Sequence, residues 1–246
     1  MPISIGSRRF APHPLMTVLT IIVIAGLVSL GRWQLRRADE KRALFEEFAA
    51  GTGSTLMIDV STARLPRYQH VAFSGHYDAA RQILIDNMSN TEGQPGYFVI
   101  TPFALAGGGW LLVNRGWVPL GPRRAQRPAV DVGTGQREVR GRADNLPRPG
   151  IRMGTAAALA PPYPVLASFP TSAEIGQLLH ESAWAPAAEL VLLDAGEPEG
   201  YLRQWQAPGF PPLRHIGYAV QWFGLALTLF VIYIVTNLRH SDRPAA

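Results

Sequence analysis

Two long apolar segments constrain this chain more than any other feature of its sequence. The first, "LMTVLTIIVIAGLVSL" at residues 15–30, carries no charge. In the second, residues 216–235, the only strongly polar residue is Gln221. Each approaches the roughly 20 residues that a helix needs to cross about 30 Å of hydrocarbon. The sequence therefore predicts two transmembrane helices, which we place at residues 15–33 and 215–236.

A cleaved signal peptide is the alternative interpretation of the first segment, because Arg8 and Arg9 precede it. The apolar part of a signal peptide normally has about 7–15 residues and ends at a small-residue cleavage site. This segment is longer and continues into "GRWQLRR", which offers no such site. We therefore expect a helix that is retained.

The residues between the two helices are numerous enough to fold into a domain. We predict a helical extension at residues 34–50 and a β-rich extramembrane domain at residues 51–214, with short tails at residues 1–14 and 237–246. Apolar residues alternate with polar or small ones in "YQHVAFSGHYD", which is typical of a half-buried strand. Further β-branched and aromatic segments predict strands at residues 82–88, 97–105, 110–118, 137–143 and 190–194.

The connections between these strands favour hairpins over helical crossovers. "AGGG" at residues 106–109 joins two strands at hairpin distance, since glycine reaches the positive φ that tight turns need. "TSAE" at residues 171–174 is a capping sequence for one short helix, and residues 147–164 predict an irregular loop. The predicted fold is a membrane protein in which two transmembrane α-helices flank a mainly antiparallel, partly closed or stacked β (α+β) domain.

The composition excludes several classes of site. The chain has no cysteine, so disulfides, thiol catalysis and cysteine-ligated metals are excluded. His70 and His76 share a strand face, but no third ligand lies at a suitable spacing, and solvated histidines are expected. No nucleophile elbow, P-loop or dinucleotide-binding motif is present, so we expect no enzyme. The net charge of +5 comes from 22 arginines and one lysine, Lys41, for which the base composition of the gene and arginines near membrane interfaces account, so no nucleic-acid partner is expected.

The segment "VNRGWVP" at residues 113–119 contains an arginine among apolar neighbours. Strand alternation places Val113, Arg115 and Trp117 on one side, and Asn114 and Gly116 on the other. An arginine in such surroundings needs hydrogen-bond partners. Carbonyl groups of the domain itself can provide them, or Arg115 can bind a partner protein, and the sequence leaves both interpretations open.

The second apolar segment has two chemically different faces. Gly217, Gln221, Gly224 and Thr228 form one narrow stripe at 100° per residue, and small residues with a glutamine are typical of close helix contacts in lipid. We predict that this stripe packs on Gly26 and Ser29 of the first helix, so that Gly224→Leu would separate the two helices.

His215, Tyr218 and Trp222 are then expected to point toward lipid or a partner. Tyrosine and tryptophan are also common at membrane boundaries without any ligand. A neutral imidazole in an apolar site is a good axial ligand for haem iron, and aromatic neighbours can pack against the macrocycle. An interfacial histidine without a ligand is the alternative interpretation.

With these residues assembled, the chain resembles the surfeit-locus protein family, the assembly factors of cytochrome c oxidase. The resemblance covers nearly the whole length and rests on five segments in order: "GRWQLRRADEKRAL", "FSGHYD", "VNRGWVP", "VRGRADN" and "HIGYAVQWFGLAL". It implies a non-enzymatic factor that assists maturation of the catalytic subunit when haem A is inserted. The catalytic subunit is the implied partner, with haem A synthase as a second one.

The resemblance also implies a topology. In such proteins the helices hold the domain outside the cytoplasm, so we expect a multi-pass protein of the cell inner membrane with a periplasmic domain and both termini cytoplasmic. The positive charges do not favour this orientation by simple count, since Arg32, Arg36, Arg37, Lys41 and Arg42 lie on the domain side. Loops longer than about 60 residues translocate largely regardless of charge, so we follow the family topology.

The residue that the resemblance implies as candidate haem A ligand is His215. We expect it to bind the iron transiently, with Arg214 at a haem propionate and Tyr218 and Trp222 beside the macrocycle. A membrane-tethered binding or sensory domain for a protein ligand, without haem, is the alternative function.

Overall fold

The computed structural model describes residues 3–5, 8–10, 12–51, 54–59, 65–121, 126–149, 158–180 and 188–240. They contain three helices: α1 (Pro14–Ala50), α2 (Ser172–Leu179) and α3 (Pro212–Asn237). The strands are β1 (Ile3–Ile5), β2 (Arg8–Phe10), β3 (Thr55–Met57), β4 (His70–Tyr77), β5 (Ile83–Ser89), β6 (Pro95–Leu105), β7 (Trp110–Pro119), β8 (Arg137–Asp144), β9 (Val165–Ala167), β10 (Leu190–Leu193) and β11 (Leu238–His240). The chain divides into two compact units, Met1–Glu46 with Ala207–Ala246, and Glu47–Gln206.

The second unit is a five-stranded barrel with additional strands at its edges. The order β4–β8–β10–β7–β6 closes because β4 also pairs with β6. Four of these five pairings are antiparallel, and only β7 with β10 is parallel. β3 extends the sheet beyond β4, and β5 with β9 extends it beyond β6. The prediction of a mainly antiparallel, partly closed sheet is confirmed.

The local signals in the sequence account for most elements of the barrel. The six predicted strands correspond to β4, β5, β6, β7, β8 and β10. Gly108 and Gly109 adopt φ of +98° and +82° in the turn between β6 and β7, as the glycine run predicts. The side chain of Thr171 accepts from the backbone N–H of Glu174, and Glu174 caps Thr171 in return at the start of α2.

Five strands of three residues each were not predicted because they are too short to show alternation: β1, β2 and β11 in the predicted tails, and β3 and β9 in the second unit. β3 and β9 have three residues each, and both add to a sheet edge in parallel. Of the predicted irregular segment at residues 147–164, residues 150–157 lie outside the described residues, as does Gly53 after the helical extension.

Apolar residues on the two faces of the barrel strands form separate cores. Phe73, Tyr77 and Phe103 pack edge to face, with ring centroids 4.9–5.0 Å apart, in a cluster that includes Leu111 and Val113. The opposite faces bury a second cluster beneath α2, including Ile83, Ile100, Leu112, Ile175 and Leu192. Each of these side chains contributes about 1.5–3 kcal/mol by leaving water, so both faces stabilise the barrel.

Strand β7 contains a bulge that corrects one predicted orientation. Asn114 pairs with Ile100 and Trp117 with Phe98, so β7 has one extra residue between these pairs. Gly116 takes φ of +116° there, and its N–H donates to Asn114 Oδ1 at 3.0 Å. Trp117 consequently packs in the cluster of Leu112 and not with Val113. The prediction that Val113, Arg115 and Trp117 share one face is therefore wrong.

The first unit contains α1 and α3 as an antiparallel pair. Thr17 Oγ1 lies 2.8 Å from Tyr233 Oη, and Gln34 Oε1 lies 2.9 Å from His215 Nδ1. The less exposed residues of each helix follow spacings of three and four, as in a coiled-coil seam. In α1 they include Thr17, Thr20, Ile24, Leu27, Gly31, Gln34 and Ala38, and in α3 they include His215, Ala219, Trp222, Ala226, Leu229 and Tyr233.

The predicted small-residue stripe does not form the contact between these helices. Gly217, Gln221, Gly224 and Thr228 are all exposed, and a Cβ atom built on Gly217 or Gly224 meets nothing within 4 Å. Gly26 is equally open and Ser29 is exposed, so the predicted partner residues on α1 are wrong as well. The helices instead approach closely where Gly31 faces the ring of Phe223 and where Ala219 and Ala226 are buried.

The two ends of the chain meet in a small sheet of the same unit. β2, which precedes α1, pairs antiparallel with both β1 and β11, and β11 follows α3 directly. The backbone before the first long helix is thereby tied to the backbone after the second one. Among the described residues, α1 and α3 are the helices that are long and apolar enough to cross a membrane.

The helix contact predicts opposite effects for two glycine substitutions. Gly31→Leu should lower the thermal stability and folded yield in detergent, because even a Cβ atom at this position would lie 2.7 Å from the Phe223 ring. Gly224→Leu is the matched control and should leave both quantities near wild type, because its position is open. Equal losses in the two variants, or a larger loss for Gly224→Leu, would contradict this packing.

Candidate functional site

His215 lies in the first turn of α3, where its imidazole is half-buried against α1. Two prolines start this helix: Pro211 occupies the position before the first turn, and Pro212 begins it, as suits a residue without a backbone N–H. The Nδ1 atom of His215 lies 2.9 Å from Gln34 Oε1. An amide oxygen accepts, so in the neutral imidazole this contact suits the tautomer with the hydrogen on Nδ1, in which Nε2 retains its lone pair.

The Nε2 atom of His215 is buried and has no hydrogen-bond partner among the described residues. A buried polar atom in this state costs about 1–3 kcal/mol. A histidine whose Nδ1–H is held by an oxygen while Nε2 is free has the arrangement of a metal ligand. The donor chemistry therefore fits an axial ligand of haem iron. Because protein atoms cover Nε2, binding requires the surrounding side chains to move apart.

The surroundings of Arg214 favour an anion. Its guanidinium stacks on Phe210, with 3.8 Å from Cζ to the ring centroid, and the residue is exposed. No side chain caps the N-terminus of α3, but Pro212 has no backbone N–H and the N–H of Arg214 donates to the carbonyl of Pro211 at 3.1 Å, so few of the first N–H groups are available. A carboxylate is favoured at such a helix end by the helix dipole and by the arginine.

The residues that were predicted to bind haem do not all surround the imidazole of His215. Trp222 lies on the same helical face as His215, about 10 Å further along the axis, and is partly buried. Tyr218 is exposed. The prediction that His215 and Trp222 point away from the first helix is therefore wrong, because the helix seam runs along their face and not along Gly217 and Gln221.

Gln34 is the residue of this site that the sequence analysis missed. It lies within "GRWQLRR", which the sequence analysis used as the end of an apolar run and as part of the family resemblance, without giving Gln34 a role. Gly31 and Ala38, three residues before and four residues after it, are the buried small residues of α1. The sequence did contain a signal for Gln34: it is a polar residue between two small residues that lie three and four positions away, as expected along a contact between helices. Its partner is 181 positions away in the chain, so no local pattern pairs them.

A second polar centre lies inside the barrel around Arg115, which is 1% exposed. Its Nε donates to the carbonyl of Glu199 at 2.9 Å, and Nη2 donates to that of Asp131 at 2.7 Å. Nη1 donates to Gln82 Oε1 at 3.0 Å and to the carbonyl of Val130 at 3.1 Å. Carbonyl groups of the domain itself thus hold this guanidinium, which is the first of the two interpretations that the sequence left open.

Aromatic rings and burial shape the electrostatics of this centre. The Arg115 guanidinium lies 5.0 Å from the Tyr201 ring centroid and 5.7 Å from that of Tyr77. Burial lowers the pKa of Arg115, and burial raises the pKa of Tyr77 to about 12. The Tyr77 Oη atom is buried and has no hydrogen-bond partner among the described residues. Trp117 donates from Nε1 to the carbonyl of Met88 at 3.0 Å, so it too is held by the domain.

The strand histidines have separate surroundings. His70 Nε2 lies 3.1 Å from Arg142 Nη2, and its Nδ1 lies 3.9 Å from Asp194 Oδ2, while His76 is exposed. Within the described part of the chain, no group of three histidine or acidic side chains is arranged to hold a metal ion.

Comparison with known proteins connects these sites to a family. The model of the SURF1 family matches residues 21–227, a range that contains Gln34, Arg115 and His215. The chain belongs to the SURF1 family. A SURF1-like protein of Rickettsia felis is 25% identical over 232 residues, covering 89% of this chain and 95% of the relative. A SURF1-like protein of Rickettsia conorii is 26% identical over 227 residues, covering 90% and 91%.

A further SURF1-like protein, from Rickettsia bellii, is 34% identical over 105 residues, or 42% of each chain. The resemblance derived from the sequence segments is thus confirmed at the level of the SURF1 family. The match begins within α1, contains the barrel and ends within α3, so Gln34, Arg115 and His215 all lie in the range that the family model covers.

The hydrogen bonds of Arg115 inside the barrel predict a large loss of stability when its guanidinium is removed. Arg115→Met should lower the free energy of unfolding by about 3–5 kcal/mol, because three backbone carbonyls and Gln82 lose their buried donor. Arg140→Met is the matched control, since Arg140 is exposed and its guanidinium pairs with the exposed Glu138, and should change stability by about 0.5 kcal/mol or less. Urea denaturation of the detergent-solubilised protein measures both free energies of unfolding. Similar losses of stability in the two variants would contradict this role of the Arg115 hydrogen bonds.

Tyr77 predicts a specific pH dependence. The folded protein keeps the phenol proton up to a pKa of about 12, whereas an unfolded chain releases it near pH 10. This contribution to stability is therefore complete below pH 10 and is lost as the pH rises toward 12, by about 3 kcal/mol. Tyr77→Phe should flatten this decline and leave stability at pH 7 unchanged or higher, because it removes an unpaired buried hydroxyl. A Tyr77→Phe variant that is less stable than wild type at pH 7 would contradict the description of the Tyr77 hydroxyl as buried and unpaired.

Proposed function

We propose that this chain is a membrane-anchored assembly factor for cytochrome c oxidase, which assists maturation of the catalytic subunit when haem A is inserted. The SURF1 family is associated with cytochrome oxidase assembly and consists of non-catalytic assembly factors. The observation that carries the haem part of the proposal is the buried, unpartnered Nε2 atom of His215 at the start of α3.

Membrane anchoring is supported by the surface of the helix pair. Large apolar side chains of α1 and α3 are strongly exposed, among them Ile21 at 61%, Leu213 at 75% and Val220 at 65%. Soluble proteins rarely expose contiguous apolar surface of this extent. A core helix of a soluble protein would be mostly buried, whereas the apolar parts of these helices are almost entirely exposed. Lipid is the environment that suits such a surface.

The proposed topology places the barrel in the periplasm and both termini in the cytoplasm, with the protein in the inner membrane. The antiparallel helix pair and the pairing of β2 with β11 support a shared side for the two termini. Which side this is follows from the family and not from the structure. A long intervening loop is translocated largely regardless of its charge.

In the proposed handover, His215 binds the haem A iron transiently through Nε2. Haem A, when bound, supplies the iron and the flat apolar macrocycle that the oxidase requires. Arg214 and the uncapped start of α3 are suited to a propionate, and Trp222 offers an aromatic surface on the same helical face. A single protein ligand is preferred here, since the cargo must be released to the catalytic subunit. Haem A synthase is the proposed donor on the other side of this transfer.

The test compares strains that lack this protein and are complemented with wild type, His215→Ala or His13→Ala. His13 is exposed just before α1 and is the matched histidine control. We expect a Soret band in purified wild type and His13→Ala that is lost in His215→Ala, because only that variant lacks the iron ligand. The haem A content of the purified oxidase should fall in the same variant.

Fully loaded oxidase in the uncomplemented strain, at normal yield, would contradict the assembly function itself. Haem in His215→Ala at the wild-type level, or no haem in any variant, would remove His215 from the mechanism and leave a membrane-tethered scaffold.

A further inference from the structure

We propose that Gln34 is a positioning residue of the site that contains His215. Its amide oxygen keeps the imidazole hydrogen on Nδ1, so that Nε2 keeps the lone pair that an iron ligand needs. The proposal rests on the proposed haem A handover for the identity of the metal. The tautomer of His215 itself is a property of the protein without haem, so it can be tested separately.

The chemistry of the contact supports this assignment. A free histidine side chain in water prefers the tautomer with the hydrogen on Nε2, which leaves Nδ1 to accept. An amide oxygen 2.9 Å from Nδ1 reverses this preference, because an oxygen cannot donate. The same contact fixes the rotation of the imidazole ring and makes the opposite nitrogen more basic, as outer partners of metal-bound histidines do.

The burial pattern of the site supports it as well. Nδ1 is hydrogen-bonded, whereas Nε2 is enclosed without a partner among the described residues. A histidine that only linked two helices would be most stable with both nitrogens paired. The unpaired atom is the one that faces away from Gln34, which is where a ligand would bind.

The packing of α1 brings the amide to the required distance. Gly31 lies one turn before Gln34 and meets the ring of Phe223, and Ala38 lies one turn after it and is buried. These small residues allow α3 to approach closely on both sides of the glutamine. The ligand site is therefore built by two helices that are separated by the whole barrel in sequence, and α1 is part of it as well as an anchor.

A purely structural role for Gln34 makes a different prediction, and the chain provides the comparison. Thr17 and Tyr233 form another hydrogen bond between the same two helices, 2.8 Å long and remote from His215. If Gln34 only joined the helices, its loss would resemble the loss of Thr17. If it positions the imidazole, only its loss changes the tautomer of His215.

The first experiment measures that tautomer directly. The full-length protein is labelled with ¹⁵N-histidine, and the His215 signals at pH 8 are assigned by their absence in His215→Ala. Wild type, Gln34→Glu, Thr17→Val and Gln221→Leu should show the hydrogen on Nδ1, because each keeps an acceptor at position 34. Gln34→Leu should show it on Nε2. Gln221→Leu is the matched exposed control for the glutamine-to-leucine change.

Two results of this experiment would overturn the proposal. One is a hydrogen on Nε2 in the wild type, and the other is a hydrogen on Nδ1 in Gln34→Leu. Should Gln34→Leu fail to fold, Gln34→Asn takes its place, because its shorter amide cannot reach Nδ1 while it keeps the polarity of the side chain.

The second experiment measures haem A binding and the Fe–His stretching frequency of the reduced complex. Loss of an outer partner typically costs a metal-bound histidine roughly 10–100-fold in affinity, so Gln34→Leu should bind haem A more weakly by that factor. Its Fe–His frequency should be lower than that of wild type, and that of Gln34→Glu should be higher. Thr17→Val and Gln221→Leu should match wild type in both quantities.

The outcomes separate this inference from the proposed function. Absence of haem from wild type under all loading conditions would overturn the proposed function. Haem binding that requires His215 but is identical in affinity and Fe–His frequency in Gln34→Leu and wild type would overturn only the role of Gln34.

Discussion

The barrel and the loops around it depend on the buried guanidinium of Arg115, whose charge is neutralised largely by backbone dipoles. Transfer of a guanidinium into an interior costs several kcal/mol unless hydrogen bonds replace its water. Arg115 meets this condition with carbonyls from two separate segments, residues 130–131 and residue 199, and with the side chain of Gln82. None of these segments belongs to β7, so the arginine joins separate loops to that strand. Next to residue 199, the N–H of Tyr201 also donates to the carbonyl of Arg115 at 2.7 Å. The bulge at Gly116, one residue later, is the local backbone change that accompanies this arrangement.

The strands and helices were largely predictable, because their signals are local. β-branched and aromatic segments marked the five barrel strands and β5, the glycine run marked the turn at Gly108, and Thr171 with Glu174 marked the start of α2. The bulge was not predictable from alternation, since one additional residue reverses the side of every residue after it. Trp117 was therefore assigned to the wrong face, although its strand was predicted correctly.

The contact between the long helices shows the limit of a composition rule. Small residues allow close packing, but α3 has two sets of them, Gly217 with Gly224 and Ala219 with Ala226, each seven residues apart. The rule selected the glycines, whereas the structure buries the alanines. The deciding information lies on α1, where spacings of three and four include Gly31 and Gln34. The contact face can be recognised only when the periodicities of both helices are compared. The sequence of one helix alone offers several faces that are equally suited to packing.

The two polar centres differ in a way that separates a structural residue from a candidate ligand. At Arg115, buried carbonyls and one amide oxygen engage all three guanidinium nitrogens, so little binding capacity remains. At His215, one nitrogen is paired and the other is buried without a partner among the described residues. A fully paired buried group stabilises the native state, whereas a half-paired one costs stability until something binds it. The Oη atom of Tyr77 is also buried without a partner among the described residues, so burial alone does not mark a ligand. The combination of an unpaired Nε2 with an Nδ1 held by an oxygen is what makes His215 the candidate.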